Sequence, residues 1–122
     1  MKGFRVWSNY WKKYAPEAEL YMDGSADAVF EDDSGVPHHE NTDIVVEFKT
    51  GLKDKNGKEI YVGDILDDGE GYVGKVLYNE RIASFAYEWG ICGSTFMCLY
   101  TSDMKVIGNI HENPELLGKE EQ

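Results

Sequence analysis

The sequence predicts a mainly β protein built as a small meander or barrel, and three observations carry that prediction. Short runs of β-branched and aromatic residues recur through the second half, separated by Gly, Asn and Asp at intervals of about ten residues. Asn56-Gly57 lies between two such runs, and the pair favours a tight hairpin turn because both residues tolerate positive φ. Hydrophobic residues make up 42% of the 122, enough for a globular core, yet the longest unbroken apolar run is Phe96-Met-Cys-Leu-Tyr100. A membrane-spanning helix needs about 20 such residues, so none is expected. No secretory apolar segment follows Met1, and the chain is expected in the cytoplasm.

Taken in order, Phe4-Arg-Val-Trp-Ser-Asn-Tyr10 alternates Phe4, Val6, Ser8 and Tyr10 against Arg5, Trp7 and Asn9, the pattern of a strand with apolar groups on both faces. Pro16 suits a first helical turn and Glu17 and Glu19 suit its positive end, which predicts a short helix through Met22, although Leu20 and Met22 also fit a strand. Asp23-Gly24-Ser25 is a turn signal, followed by a short apolar piece at Ala28-Val-Phe30. Residues 31–43 have few apolar groups and contain Gly35 and Pro37, so a loop is expected there. Ile44 to Phe48 reads as a strand, and Ile60 to Leu66 as another bent at Gly63. Tyr72 to Tyr78, Arg81 to Trp89, Phe96 to Tyr100 and Met104 to Ile110 complete the set, with a turn at residues 67–71. Asn113-Pro114-Glu115 starts a helical turn near the end, with Asn as its cap. Cys92 and Cys98, the only two cysteines, fit neither a disulfide on one extended strand nor a zinc framework, and read as small core residues.

Charge divides the chain more sharply than hydropathy does. Twelve Lys and Arg against 23 Asp and Glu give a net −11, which opposes general affinity for nucleic acid or an anionic membrane. Residues 1–13 hold four basic groups and no acid, whereas residues 14–48 hold ten acids and no Lys or Arg. The two blocks are electrostatically complementary, within one subunit or across two.

No catalytic constellation emerges from the spacing. Gly51 to Glu59 superficially resembles a phosphate-cradling loop, but its glycines enclose five residues and Glu59 stands where a magnesium-binding hydroxyl is needed. Asp54 to Gly57 lacks most of a calcium loop. His38-His39-Glu40, with His111-Glu112, contains metal-ligating groups, yet adjacent histidines on an extended chain point to opposite sides, and a solvated loop is the expected state. Phe85, Tyr87 and Trp89 share one strand face whose spacing serves a core or subunit contact better than base stacking. Lys49, Lys53, Lys55 and Lys58 read as a solvated turn face. Neither cofactor nor metal is expected, and no enzyme activity.

Three segments together resemble the YopX family, small proteins found mainly in phages and prophages: Phe4-Arg-Val-Trp-Ser8, the long stretch from Thr50-Gly-Leu-Lys through Gly63-Asp-Ile-Leu66, and Val106-Ile-Gly-Asn-Ile-His-Glu-Asn-Pro-Glu-Leu-Leu117. They occur in the family's order and frame about residues 3–117. The resemblance implies a β-rich fold with an SH3-like barrel and self-assembly; it implies no activity and carries over no functional residues. The resulting expectation is an N-terminal strand-containing arm and acidic loop at 1–42, then an SH3-like barrel and C-terminal tail at 43–122. Phe4, Trp7, Tyr10 and Trp11 are the candidate interface of a homo-oligomer, since contiguous exposed aromatics are otherwise a liability. Asn56, Gly57, Gly63 and Asp64 are candidate structural turns, where backbone freedom is needed. The expected role is that of a phage or prophage accessory protein that binds or assembles and does not catalyse, with a host protein as partner. The alternatives are an acidic inhibitor whose carboxylates imitate a phosphate backbone, and a nucleic-acid-binding module, the latter disfavoured by charge.

Overall fold

A computed structural model describes residues 3–69, 71–81, 83–89, 93–96 and 103–118, the stretch 93–96 by its backbone. The chain divides into two compact units, Met1–Phe48 and Lys49–Gln122. Both are β-rich, so the protein is mainly β.

In the first unit β1 (Phe4–Ser8) lies antiparallel between β2 (Lys13–Tyr14) and the first half of β6 (Ile44–Lys53), with Phe4 opposite Phe48 and Ser8 opposite Ile44. A second sheet places β4 (Ala26–Glu31) between β3 (Glu17–Leu20) and β5 (Pro37–Glu40). Alternation decides which side chains face inward: Ala18 on β3 and Ala26, Ala28 and Phe30 on β4 are buried with Val6, while Phe4, Trp11, Ala15, Leu20, Ile44 and Val46 pack against them. The alanines leave room for the rings, and Trp11 lies parallel to Phe30 with centroids 5.5 Å apart.

Two expectations for this unit are corrected. The helix predicted over 16–22 is strand β3, because Glu17-Ala18-Glu19-Leu20 alternates with period two and its inner members reach the core. The loop predicted over 31–43 contains β5, which pairs Ala28 with Glu40 and Glu31 with Pro37. This strand is polar on both faces, so its pairing with β4 rather than any hydrophobic period makes it, and proline at its first position is tolerated at a sheet edge.

In the second unit the end of β6 pairs with β7 (Glu59–Tyr61), and a five-stranded antiparallel sheet runs in the order β11-β10-β9-β8-β12. Its members are β8 (Asp64–Asp67), β9 (Val73–Asn79), β10 (Ser84–Trp89), β11 (Gly93–Phe96) and β12 (Lys105–Asn109). Ile60, Leu66, Val76, Tyr87 and Met104 form the buried cluster, with Leu52, Phe85, Trp89 and Val106 against it. The β6–β7 register shifts between Lys49 and Lys53, and Thr50 spans the irregularity by accepting from Leu52 N–H and donating to Ile60 O. Cys92, Cys98 and residues 97–100 lie outside the described residues.

One helical turn, α1 (Glu115–Gly118), follows β12. Asn113 does not cap it with its side chain: the amide oxygen accepts instead from Asn109 N–H at 3.2 Å, closing the loop between β12 and α1. Asn109 in turn accepts from His111 and Glu112 N–H and donates to Glu112 Oε1.

Candidate functional site

The side of the β3–β4–β5 sheet turned away from the core carries three carboxylates and a histidine around one valine. Inward alanines at Ala18 and Ala28 force their neighbours outward, which puts Glu17 and Glu19 on β3 beside Val29 and Asp27 on β4, with Glu17 opposite Val29 and Glu19 opposite Asp27. His39 on β5 stands opposite Val29 and meets Asp27 Oδ2 at 2.9 Å. Glu17, Ala18, Glu19, Asp27, Val29 and His39 line a shallow groove of about 280 Å³. The Tyr21 phenol beyond it is pushed above its ordinary pKa by local desolvation and by the Glu19 and Asp27 carboxylates. The surface suits a cationic side chain or a basic segment, and nothing in it resembles an acid–base pair held for catalysis.

The predicted interface residues are not brought together as one exposed stripe. Trp7 is buried, 4% exposed, against Tyr14 at 5.1 Å in an edge-on contact, and so contributes to the interior of its own unit. Phe4 and Trp11 are half-buried on the core, and the Trp11 indole N–H donates to Glu40 Oε1 at 3.4 Å. Only Tyr10 is open, 73% exposed, on a turn held by Ser8, whose hydroxyl accepts from Tyr10 and Trp11 N–H.

The complementary charge blocks meet inside this unit. Arg5 and Glu47 are cross-strand partners 2.8 Å apart, Glu47 is 2% exposed, the Tyr14 hydroxyl donates to the same carboxylate at 2.9 Å, and the Arg5 guanidinium lies 4.5 Å from the Tyr14 ring.

Of the predicted turn residues, Asn56, Gly57 and Gly63 lie on turns of the second unit, and Asp64 opens β8. Asp54 N–H donates to Lys58 O and Gly57 N–H to Asp54 O, a three-residue hairpin loop with Gly57 at φ 82°. Asn56 keeps negative φ, so the turn differs from the two-residue type that the Asn-Gly pair suggests. Gly24 and Gly35 occupy the same place in the β3–β4 and β4–β5 hairpins. Gly63, at φ 97°, separates β7 from β8; its N–H donates to Val76 O and its carbonyl accepts from Ile110 N–H, while Asp64 Oδ2 accepts from Tyr61 N–H.

The histidine–carboxylate set is not assembled as a metal site. His38 contacts Asp32, His39 contacts Asp27, Glu112 accepts from Asn109, and the described residues contain no cluster of three or more His, Cys, Asp or Glu placed to hold a metal ion. Tyr87 is 1% exposed with its hydroxyl donating toward Tyr72 O at 3.0 Å, so the aromatic strand face is core. The acidic face was missed by sequence reasoning, which counted its carboxylates without placing them; the Glu-x-Glu alternation at Glu17 and Glu19 was the available signal.

The family model for YopX protein matches residues 3–118. Protein EF1440 from Enterococcus faecalis has a similar crystal structure, with a TM-score of 0.63, 29% identity, and coverage of 94% of this chain and 96% of that one. Protein yopX from Bacillus subtilis has a similar fold, with a TM-score of 0.57, 18% identity, and coverage of 93% and 96%. No curated protein matches the chain. A family model that accounts for nearly every described element, in both units, places the identity beyond the likeness of any one segment: the chain belongs to the YopX family.

Proposed function

We propose that this protein works by binding and not by catalysis, as a phage or prophage accessory protein that presents the acidic outer face of β3–β4–β5 to a basic surface of a host protein. The observation that carries the reading is the groove itself: Glu17, Glu19 and Asp27 surround Val29, and no Lys or Arg occurs anywhere in residues 14–48 to neutralise them. The engaged state of the interior acids supports it as well. Glu47, Asp54 and Asp64 are buried, and each accepts hydrogen bonds that build the fold. The strand order of the second unit, in which β12 returns beside β8, supports an SH3-like barrel as the scaffold. Self-assembly belongs to the same reading, with Tyr10 as the exposed contact; a strict monomer by light scattering at micromolar concentration rejects that part.

The test is capture from a host lysate with the protein and with the triple variant Glu17→Gln, Glu19→Gln, Asp27→Asn. The expected result is a basic protein held by the first and lost by the second; equal recovery on both overturns the reading. A second reading, nucleic-acid mimicry, is favoured by the placement of Glu17 and Glu19 two residues apart on one strand face, which spaces their charges at about 6.6 Å. If mimicry is the mechanism, the captured protein binds DNA and the wild-type chain displaces it.

A further inference from the structure

The opposite charge is concentrated in the second unit, at a place the sequence only half reveals. The turn between β6 and β7 carries Lys53, Lys55 and Lys58, all exposed. Two bonds tie this turn to the start of β12: Lys55 N–H donates to Met104 O at 2.8 Å, and Val106 N–H donates to Asp54 Oδ2 at 3.0 Å. The residue between those two anchors is Lys105, also exposed, so a fourth lysine is placed beside the turn from about fifty residues away in sequence. Among the described residues none of these four lysines forms an ion pair, whereas Lys49 is matched by Glu59 at 3.9 Å. The nearby acids keep their charge: Asp54 is buried with Oδ1 accepting from Asn56 and Lys58 N–H, Asp67, opposite Lys105 in the ladder, is half-buried and accepts from Gly69 N–H, and Asp103 is exposed, so four exposed lysines stand against three carboxylates of which one is exposed.

We propose that this cationic ledge docks an acidic, extended segment of a partner protein. It goes beyond the binding face of the first unit and stands or falls separately from it. Lysines on flexible stems suit a run of carboxylates, because they act as mobile point charges and demand no planar, bidentate geometry. The net charge of −11 decides against nucleic acid as the occupant. Charges are felt over a Debye length of about 8 Å at physiological salt. A rigid duplex carries its phosphates, one per ~1.7 Å of axis, out over the rest of this acidic protein, whereas a short extended peptide can keep its carboxylates on the lysines alone.

The experiment titrates the isotopically labelled full chain with an octaglutamate peptide, at salt of about 50 mM and then about 200 mM, and follows backbone amide shifts. Saturable shifts are expected at Lys53, Lys55, Lys58 and Lys105, weakening with salt. The quadruple variant Lys53→Gln, Lys55→Gln, Lys58→Gln, Lys105→Gln, whose replaced groups all lie in solvent, should keep its spectrum and lose about tenfold in affinity, as modest exposed pairs require. Absence of shifts, shifts confined to other residues, or unchanged affinity of the variant overturns the proposal. So does tighter binding of a DNA duplex of about 20 base pairs than of the peptide. Concentration-dependent shifts at the same amides without peptide also overturn it, by making a second copy of the chain the occupant.

Discussion

Glu47 stands opposite Arg5 with its carboxylate buried and shared between the guanidinium and the Tyr14 hydroxyl. Removing one member of such a set leaves the other charge buried without compensation, which is costlier than the pair is valuable. Arg5→Ala leaves the Glu47 carboxylate, 2% exposed, without its guanidinium and is therefore expected to destabilise by about 3–5 kcal/mol, seen as a lower denaturant midpoint at unchanged slope. A change below about 1 kcal/mol would mean that water or another donor takes the place of the guanidinium at Glu47. The pairing was not legible in the sequence, since the partners are 42 residues apart and only the β1–β6 register joins them. Gly63 was legible, because a glycine inside an apolar run marks a backbone need. At φ 97° with both its peptide groups engaged, Gly63→Val should cost roughly 1–3 kcal/mol or more in strain. An unchanged thermal midpoint removes Gly63 from the scaffold.

Among the elements, the β6–β7 turn shows what local sequence reads well and what it omits. Its place was evident from Asn56-Gly57, but the side chain that organises it is Asp54, 6% exposed, which accepts from Asn56, Lys58 and Val106 N–H and so joins the hairpin to β12. Burial alone pushes this carboxyl up, yet the three N–H donors and the nearby Lys58 charge outweigh it, and the group is held below the ordinary aspartate range. A carboxyl lowered in the folded state adds stability above its unfolded pKa of about 3.9 and loses it as pH falls through the lower folded value. Asp54→Asn should lower stability at neutral pH by about 1–3 kcal/mol, because one amide edge presents N–H where an acceptor is required. Its stability should also fall less steeply than the wild type's below about pH 4. Parallel acid-unfolding curves would show that other carboxyls dominate. Elements β3 and β5 were misread for opposite reasons. Helix-start signals at Pro16 and Glu17 competed with a period-two pattern in β3, and tertiary burial of Ala18 decided the outcome. In β5 no pattern exists to find, because Pro-His-His-Glu has no apolar face and exists as a strand through its ladder to β4.

At the scale of the whole molecule, the net charge of −11 was fully legible, whereas its arrangement depended on which residues the strands turn outward. The buried Arg5–Glu47 pair consumes part of the complementarity, and the acids left outside, Glu17, Glu19 and Asp27 among them, repel one another across one sheet face. Salt acts unequally on these terms: exposed repulsion is screened as the Debye length shrinks from about 30 Å at 0.01 M to about 3 Å at 1 M, while a buried pair is screened much less. Adding a chloride salt should therefore raise the melting temperature, by several degrees if about 1 kcal/mol of repulsion is relieved. Chloride is preferred to sulfate because sulfate strengthens apolar burial on its own account. The triple variant Glu17→Gln, Glu19→Gln, Asp27→Asn should start from a higher melting temperature at low salt and gain less on addition of salt. If wild type and variant instead gain equally, the repulsion resides elsewhere on the surface; if salt lowers both, half-buried attractions such as Lys49–Glu59 outweigh it, and the acidic face is electrostatically at rest before any partner arrives.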